Sequence, residues 1–193
     1  MKTTTCTRVL TLVLLALFFI GAPGCKKDKK NSPENFLNAY LEQSGFNQKS
    51  TDAGGFASEF GLFFTPLKPG SIKKIHVKIP GVQNSLRVTV WEVAANKVLF
   101  SQVMNVSTAN TTTSLDVAAL PLQQNVEYAI SINSIPFYRR TRNDAGNAAY
   151  PFTCGNIKVL NYKWANGTTQ SLPANIALNY YGGDMSFDFL PND

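Results

Sequence analysis

The chain has 193 residues, of which 44% are hydrophobic and 16% charged, with three cysteines and a formal net charge of +6. This length and apolar content suit one globular domain with short appendages, and they exclude a disordered chain, a collagen repeat and a polytopic membrane protein. Six of the 18 basic residues but only one of the 12 acidic residues precede residue 31, so the remainder is near neutral, which argues against a nucleic-acid-binding protein.

The first 24 residues have the pattern of an export signal. Lys2 and Arg8 precede an apolar run over residues 9–20, and small residues follow before Cys25. At 1.5 Å per residue the apolar run gives ~18 Å of helix, which is too short to anchor a protein across a hydrocarbon core of ~30 Å. We therefore predict that residues 1–24 are a signal peptide and that the mature chain carries no transmembrane helix.

The end of this signal resembles that of a bacterial lipoprotein, in which a small residue precedes a cysteine that receives a diacylglyceryl group before cleavage on its amino side. Gly24 and Cys25 fit this pattern. The resemblance implies lipidation at Cys25 and an extracytoplasmic protein tethered to the outer membrane or the cell surface. The alternative is an ordinary secretory signal cut nearby. If Cys25 is lipidated, the four lysines within residues 26–30 lie beside the anionic headgroups of the membrane.

Residues 25–55 read as a polar tether that contains one short helix. Ser32 is a good N-cap, Pro33 suits the first helical turn, and Gly45 suits the end of the helix. The spacing leaves open whether the helix packs on the domain or stays mobile. The apolar residues at helical spacing are Phe36, Leu37, Tyr40 and Leu41.

From Phe56 the apolar residues alternate with polar ones, as in half-buried strands. Strands of this kind recur at short intervals with no long helical pattern between them. The sequence therefore predicts an all-β fold, an antiparallel, jelly-roll-like sandwich over residues 56–193. The expected strands lie within residues 60–64, 72–79, 86–90, 98–106, 114–118, 126–133, 156–164, 174–181 and 185–190.

Several fragments of this region resemble the bacterial extracellular domain family known as domain of unknown function 4082. They include a Gly- and Phe-rich strand, a Gly turn with an Ile-x-x-Ile strand, a Trp-containing strand with its hairpin, and a Tyr-containing closing strand. The resemblance implies a surface accessory or binding module with no catalytic residues to carry over. The matching segments are residues 59–64, 69–75, 88–92, 97–100 and 121–131.

An enzyme is the third hypothesis, because no catalytic motif appears and no cofactor is expected. His76, the one histidine, lies between Lys74 and Lys78 without an acidic neighbour in sequence. Acidic residues such as Glu59 alternate with core residues, which suggests that they face solvent. No metal site is expected either, because four residues of strand would hold Asp184 and Asp188 ~13 Å apart.

The candidate binding residues lie around residues 137–150, an Arg-rich stretch that we interpret as an extended loop. Guanidinium groups there could hold carboxylate, sulfate or phosphate groups, and aromatic rings could stack on a sugar. A second aromatic group surrounds Trp164 and includes Tyr180. The candidate binding residues are Tyr138, Arg139, Arg140, Arg142, Tyr150 and Trp164.

Together these patterns favour a lipid-anchored, non-catalytic module that binds glycan or another surface component. The alternative is a structural or assembly lipoprotein that docks a protein partner.

Overall fold

The computed structural model describes residues 32–53 and 55–192, so the predicted signal and Cys25 lie outside the described residues. The described chain is almost entirely strand, with one helix, α1 (Leu37–Ser44). The strands are β1 (Glu34–Asn35), β2 (Gln48–Asp52), β3 (Ser58–Pro66), β4 (Gly70–Lys78), β5 (Gln83–Glu92), β6 (Lys97–Val106), β7 (Thr112–Leu122), β8 (Tyr128–Ser134), β9 (Phe137–Thr141), β10 (Phe152–Cys154), β11 (Ile157–Asn166), β12 (Asn175–Ile176), β13 (Tyr181–Gly182) and β14 (Asp184–Pro191).

The strands form two antiparallel sheets and a small ribbon. The smaller sheet has the order β1-β14-β4-β7, and the larger sheet has the order β10-β11-β3-β8-β5-β6, with β12 beside β11. The ribbon has the order β13-β9-β2. The chain crosses from the larger sheet to the smaller one and back between β3 and β5, and again between β6 and β8. This alternation is that of a jelly roll, so the predicted fold class is confirmed.

The inner faces of the two sheets bury the apolar residues of each strand. In β4, Ile72, Ile75 and Val77 are fully buried, as the alternation in the sequence predicts. Phe187 of β14 lies between the sheets, where its ring centroid is 4.7 Å from that of Phe64 in β3. Edge and tilted ring contacts of this kind stabilise a core beyond the apolar area they bury.

The outer face of the larger sheet is covered by the chain itself. Residues 166–173 run across this face, and Leu172 packs against Phe63. Gly61 of β3 leaves room for Pro173, because a Cβ at this position would lie 2.9 Å from the proline ring. The absence of a side chain at Gly61 therefore allows the covering segment to approach the sheet.

Beneath this segment lies a buried polar network. Glu59 accepts hydrogen bonds from Arg87 Nη2 at 2.8 Å and from Ser131 Oγ at 2.9 Å, and Trp91 Nε1 donates to Ser131 Oγ at 3.0 Å. The expectation that Glu59 faces solvent is wrong, since it is only 1% exposed. A buried carboxylate is stable here because a guanidinium and a hydroxyl bind its two oxygens.

The segment from Glu34 to Asp52 belongs to the folded body and is not part of a tether. The helix begins at Leu37, four residues after Pro33, because the preceding residues pair with β14 as strand β1 instead of forming the first turn. Phe36 and Tyr40 join the main core, so the helix packs on the sandwich. The predicted helix end is correct, because Gly45 closes α1 at a φ of 71°.

Two other segments differ from the sequence prediction. The stretch predicted as a loop contains strand β9, which pairs with β2 and β13. Its Arg-rich sequence suggested an exposed loop, but Tyr138 within this strand is buried. The strand predicted over residues 174–181 is reduced to two two-residue strands, β12 and β13.

We expect Phe187→Ala to lower the free energy of unfolding by ~3–5 kcal/mol, because it leaves a cavity where the two sheets meet. Urea denaturation followed by tryptophan fluorescence measures this loss. Phe56→Ala is the matched control, since Phe56 is 87% exposed and its removal should change stability by less than ~0.5 kcal/mol. Equal effects of the two substitutions would contradict a core centred on Phe187.

Candidate functional site

Strand β9 directs its two consecutive arginines to opposite sides, because side chains alternate along a strand. Arg139 lies over the ring of Tyr180, with its guanidinium carbon 4.7 Å from the ring centroid. Arg140 points the other way and binds the carboxylate of Asp184. The predicted cluster of arginines is therefore divided between two surface depressions.

The first depression, which we call the aromatic pocket, has a volume of about 230 Å³. It lies beside the ends of β3 and β11, against the ribbon. Aromatic rings, a guanidinium, a carboxylate and an amide all border it. Its principal lining residues are Asp52, Phe56, Arg139, Trp164, Asn166 and Tyr180.

The groups in the aromatic pocket are available to a ligand. Phe56 is mostly exposed and Trp164 is half-buried, so both rings present surface to solvent. Within the described residues Arg139 makes no ion pair, and its guanidinium rests only against Tyr180. Burial raises the pKa of Tyr180, so its hydroxyl stays protonated at neutral pH and is able to donate a hydrogen bond.

The second depression, which we call the polar cleft, has a volume of about 360 Å³. It lies between α1 and the outer face of the smaller sheet. Polar side chains from five strands line it, among them Asn35 of β1, and two leucines of α1 form its apolar side. Its principal lining residues are Leu37, Asn38, Leu41, His76, Lys78, Thr112, Arg140, Asp184 and Ser186.

A two-point ion pair forms one wall of the polar cleft. Arg140 Nε lies 2.5 Å from Asp184 Oδ1, and Arg140 Nη2 lies 2.6 Å from Asp184 Oδ2. The hydrogen bonds to Asp184 raise the pKa of Arg140, although burial opposes the rise. Asp184 is 3% exposed, so this carboxylate is held by Arg140 and does not face bulk solvent.

A row of hydrogen bonds crosses the outer face of the smaller sheet. Ser114 Oγ lies 2.8 Å from His76 Nδ1, and Asp188 Oδ1 lies 3.0 Å from His76 Nε2. Sequence reasoning missed this row, because the residues come from three different strands. The sequence does place Ser186 and Asp188 on one face of a strand. Their position relative to His76 follows only from the pairing of β14 with β4.

The row has the residue types of a Ser-His-Asp triad, but a triad also needs a place for the substrate. Neither Ser114 nor Asp188 lines the polar cleft. Within the described residues, no group of three or more His, Cys, Asp or Glu side chains is arranged to hold a metal ion.

Three of the predicted binding residues have structural partners instead. The Tyr138 hydroxyl donates to Asn110, and the ring of Tyr138 is buried beneath Lys49. Arg142 binds Asp144 and donates to the carbonyl of Ser44 at the end of α1. The hydrogen bonds from Arg142 to the Asp144 carboxylate lower the pKa of Asp144 well below its ordinary value.

Tyr150 is likewise engaged inside the protein. Its hydroxyl lies 2.6 Å from the hydroxyl of Tyr40, and the two rings stack. Burial raises the pKa of Tyr150 to about 12. Among the six predicted residues, Arg139 and Trp164 therefore share the aromatic pocket, Arg140 lines the polar cleft, and Tyr138, Arg142 and Tyr150 hold the fold together.

No family model matches the chain, and no curated protein matches it. None of the described helices is long and apolar enough to span a membrane. The likeness to the extracellular domain family and to a lipoprotein signal stays a prediction from the sequence.

We expect Asp184→Asn to lower the free energy of unfolding by ~3 kcal/mol, because it leaves the half-buried Arg140 without its carboxylate. Urea denaturation at neutral pH measures the effect. Asp144→Asn breaks the more exposed pair with Arg142 and should cost far less. A loss at Asp144→Asn as large as that at Asp184→Asn would contradict the structural importance of the Arg140 pair.

Proposed function

We propose that the protein is a lipid-anchored, extracytoplasmic and non-catalytic module that binds glycan in the aromatic pocket. The observation that supports this best is the pocket's combination of partly exposed rings with the Arg139 guanidinium, which makes no ion pair among the residues that the structure describes. Trp164 and Phe56 offer flat apolar surfaces, and Arg139 offers hydrogen-bond donors beside them.

The pocket suits a sugar because a sugar ring has both apolar and polar surfaces. Its C–H faces pack against aromatic rings, while its hydroxyl groups need donors and acceptors at their edges. Asn166 and Asp52 supply both kinds of polar group at the rim. The rings of Tyr138 and Tyr150 are engaged elsewhere and Arg139 covers the ring of Tyr180, so stacking is assigned to Trp164 and Phe56.

The proposed anchor rests on the sequence alone. A small residue before Cys25 and a lysine-rich segment after it are the features of a lipid tether beside an anionic surface. Lipidation would hold the sandwich outside the bilayer, where the aromatic pocket meets extracellular or periplasmic polymers.

A second candidate function is docking of a protein partner. In the described part of the chain, β6 is the last strand of the larger sheet, and its outer edge has no neighbouring strand. Val103 on this strand is 57% exposed. An edge of this kind accepts an added strand from a partner.

A glycan array probed with the full-length protein in detergent should identify bound sugars. Trp164→Ala and Arg139→Ala should weaken that binding at least tenfold, because each removes a contact surface of the pocket. Arg142→Ala is the matched arginine control and should leave affinity unchanged, since Arg142 lies outside the aromatic pocket. Variants with parental thermal stability exclude loss of the fold as the cause.

Unchanged glycan binding in Trp164→Ala and Arg139→Ala would contradict the assignment of the ligand to this pocket. A protein that binds no glycan, but retains a co-purifying partner that is lost on Val103→Lys, would instead support docking at β6.

Expression in a lipoprotein-competent bacterium tests the anchor. We expect the mature chain to begin at an acylated Cys25 and to sediment with membranes, because two or more acyl chains hold a protein stably on a bilayer. Cys25→Ser should move the protein to the soluble fraction. Intact mass measures the modification, and an unmodified parent chain would overturn this part of the proposal.

A further inference from the structure

The polar cleft is separate from the aromatic pocket, because the two share no lining residue and lie on opposite sides of β9. We infer that the polar cleft is a second binding site and that its ligand is a sugar acid, a polyhydroxylated ring with a single carboxylate. Its volume of about 360 Å³ lies within the range of ~300–1,000 Å³ typical of small-molecule sites. The inference does not depend on glycan binding in the aromatic pocket.

The walls of the cleft are fixed in place by hydrogen bonds within the protein. The Asn35 amide donates to Ser186 Oγ at 3.2 Å and to Asp188 Oδ1 at 3.1 Å, which ties β1 to β14. Arg140 is held by both oxygens of Asp184. This part of the cleft is therefore shaped before a ligand binds.

The charge of the cleft indicates a ligand with one negative charge. Arg140 is neutralised by Asp184, and His76 contacts the carboxylate of Asp188. Lys78 lies opposite Asp184 in the β4–β14 register but makes no ion pair within the described residues. The ammonium group of Lys78, a half-buried residue, is thus left to bind a carboxylate.

The remaining surface of the cleft suits a sugar ring. The side chains of Asn38 and Thr112 make no hydrogen bonds within the described part of the chain, so both are available to hydroxyl groups. Leu37 and Leu41 of α1 form an apolar side for the C–H face of the ring. The cleft therefore offers both polar groups and an apolar patch, as the two surfaces of a sugar require.

A phosphate dianion fits this arrangement less well. Phosphate sites commonly use the planar fork of an arginine, and both hydrogen bonds of the Arg140 fork already go to Asp184. The ammonium group of Lys78 therefore balances only one of the two negative charges of a phosphate dianion.

The test compares D-galacturonate with its methyl ester, in which an uncharged ester group replaces the carboxylate. Isothermal titration calorimetry of the full-length protein in detergent should show binding of galacturonate at least tenfold tighter than that of the ester. Lys78→Gln should abolish this preference by weakening galacturonate binding at least tenfold. Lys73→Gln removes the same charge from β4 outside the cleft and should leave affinity unchanged.

Trp164→Ala should also leave galacturonate binding unchanged, because Trp164 belongs to the aromatic pocket. If Trp164→Ala abolished it, the acid would bind there, and the second site would be refuted while the proposed function stood. Equal affinity for acid and ester, no galacturonate binding, equal losses in Lys78→Gln and Lys73→Gln, or inorganic phosphate binding more tightly than galacturonate would each overturn the inference.

Discussion

The larger sheet carries apolar side chains on both faces, and the need to bury them organises the molecule. Its inner face is buried by the smaller sheet, with Phe187 at the contact. Its outer face is buried by residues 166–173, which reach the sheet over Gly61 and leave Glu59 bonded to Arg87 beneath them. These contacts cover the inner face of the sheet and the part of its outer face that carries Gly61 and Glu59.

The two candidate sites lie at the margins of the sandwich, where the N-terminal helix and the three-stranded ribbon join it. The aromatic pocket lies at one end of the larger sheet, and the polar cleft lies between α1 and the smaller sheet. Each depends on a short element: the aromatic pocket on the ribbon, and the polar cleft on α1. Helix α1 has eight residues, and it stays in place because Phe36 and Tyr40 are buried in the main core.

The sequence predicted those parts of the fold that local periodicity determines. Strands such as β4 and β8 alternate clearly enough to be located without any knowledge of their partners. The ribbon was missed because β2 and β9 are polar and become strands only by pairing with each other. Likewise, the contacts of His76 with Ser114 and Asp188 depend on the register of three strands, which composition and spacing do not reveal. Arg139 and Trp164 were predicted from the sequence as binding residues, but their common pocket follows from the topology.

The alternation of Arg139 and Arg140 along β9 has a consequence for how this surface tolerates insertions and deletions. A single residue gained or lost between β8 and β9 would, if the pairing with β2 slipped with it, send each guanidinium to the opposite side. The aromatic pocket would lose its cation and Asp184 would lose its partner in the same event. Changes of length in this connection are therefore coupled to both depressions at once, whereas length changes in the exposed turn between β5 and β6 affect neither.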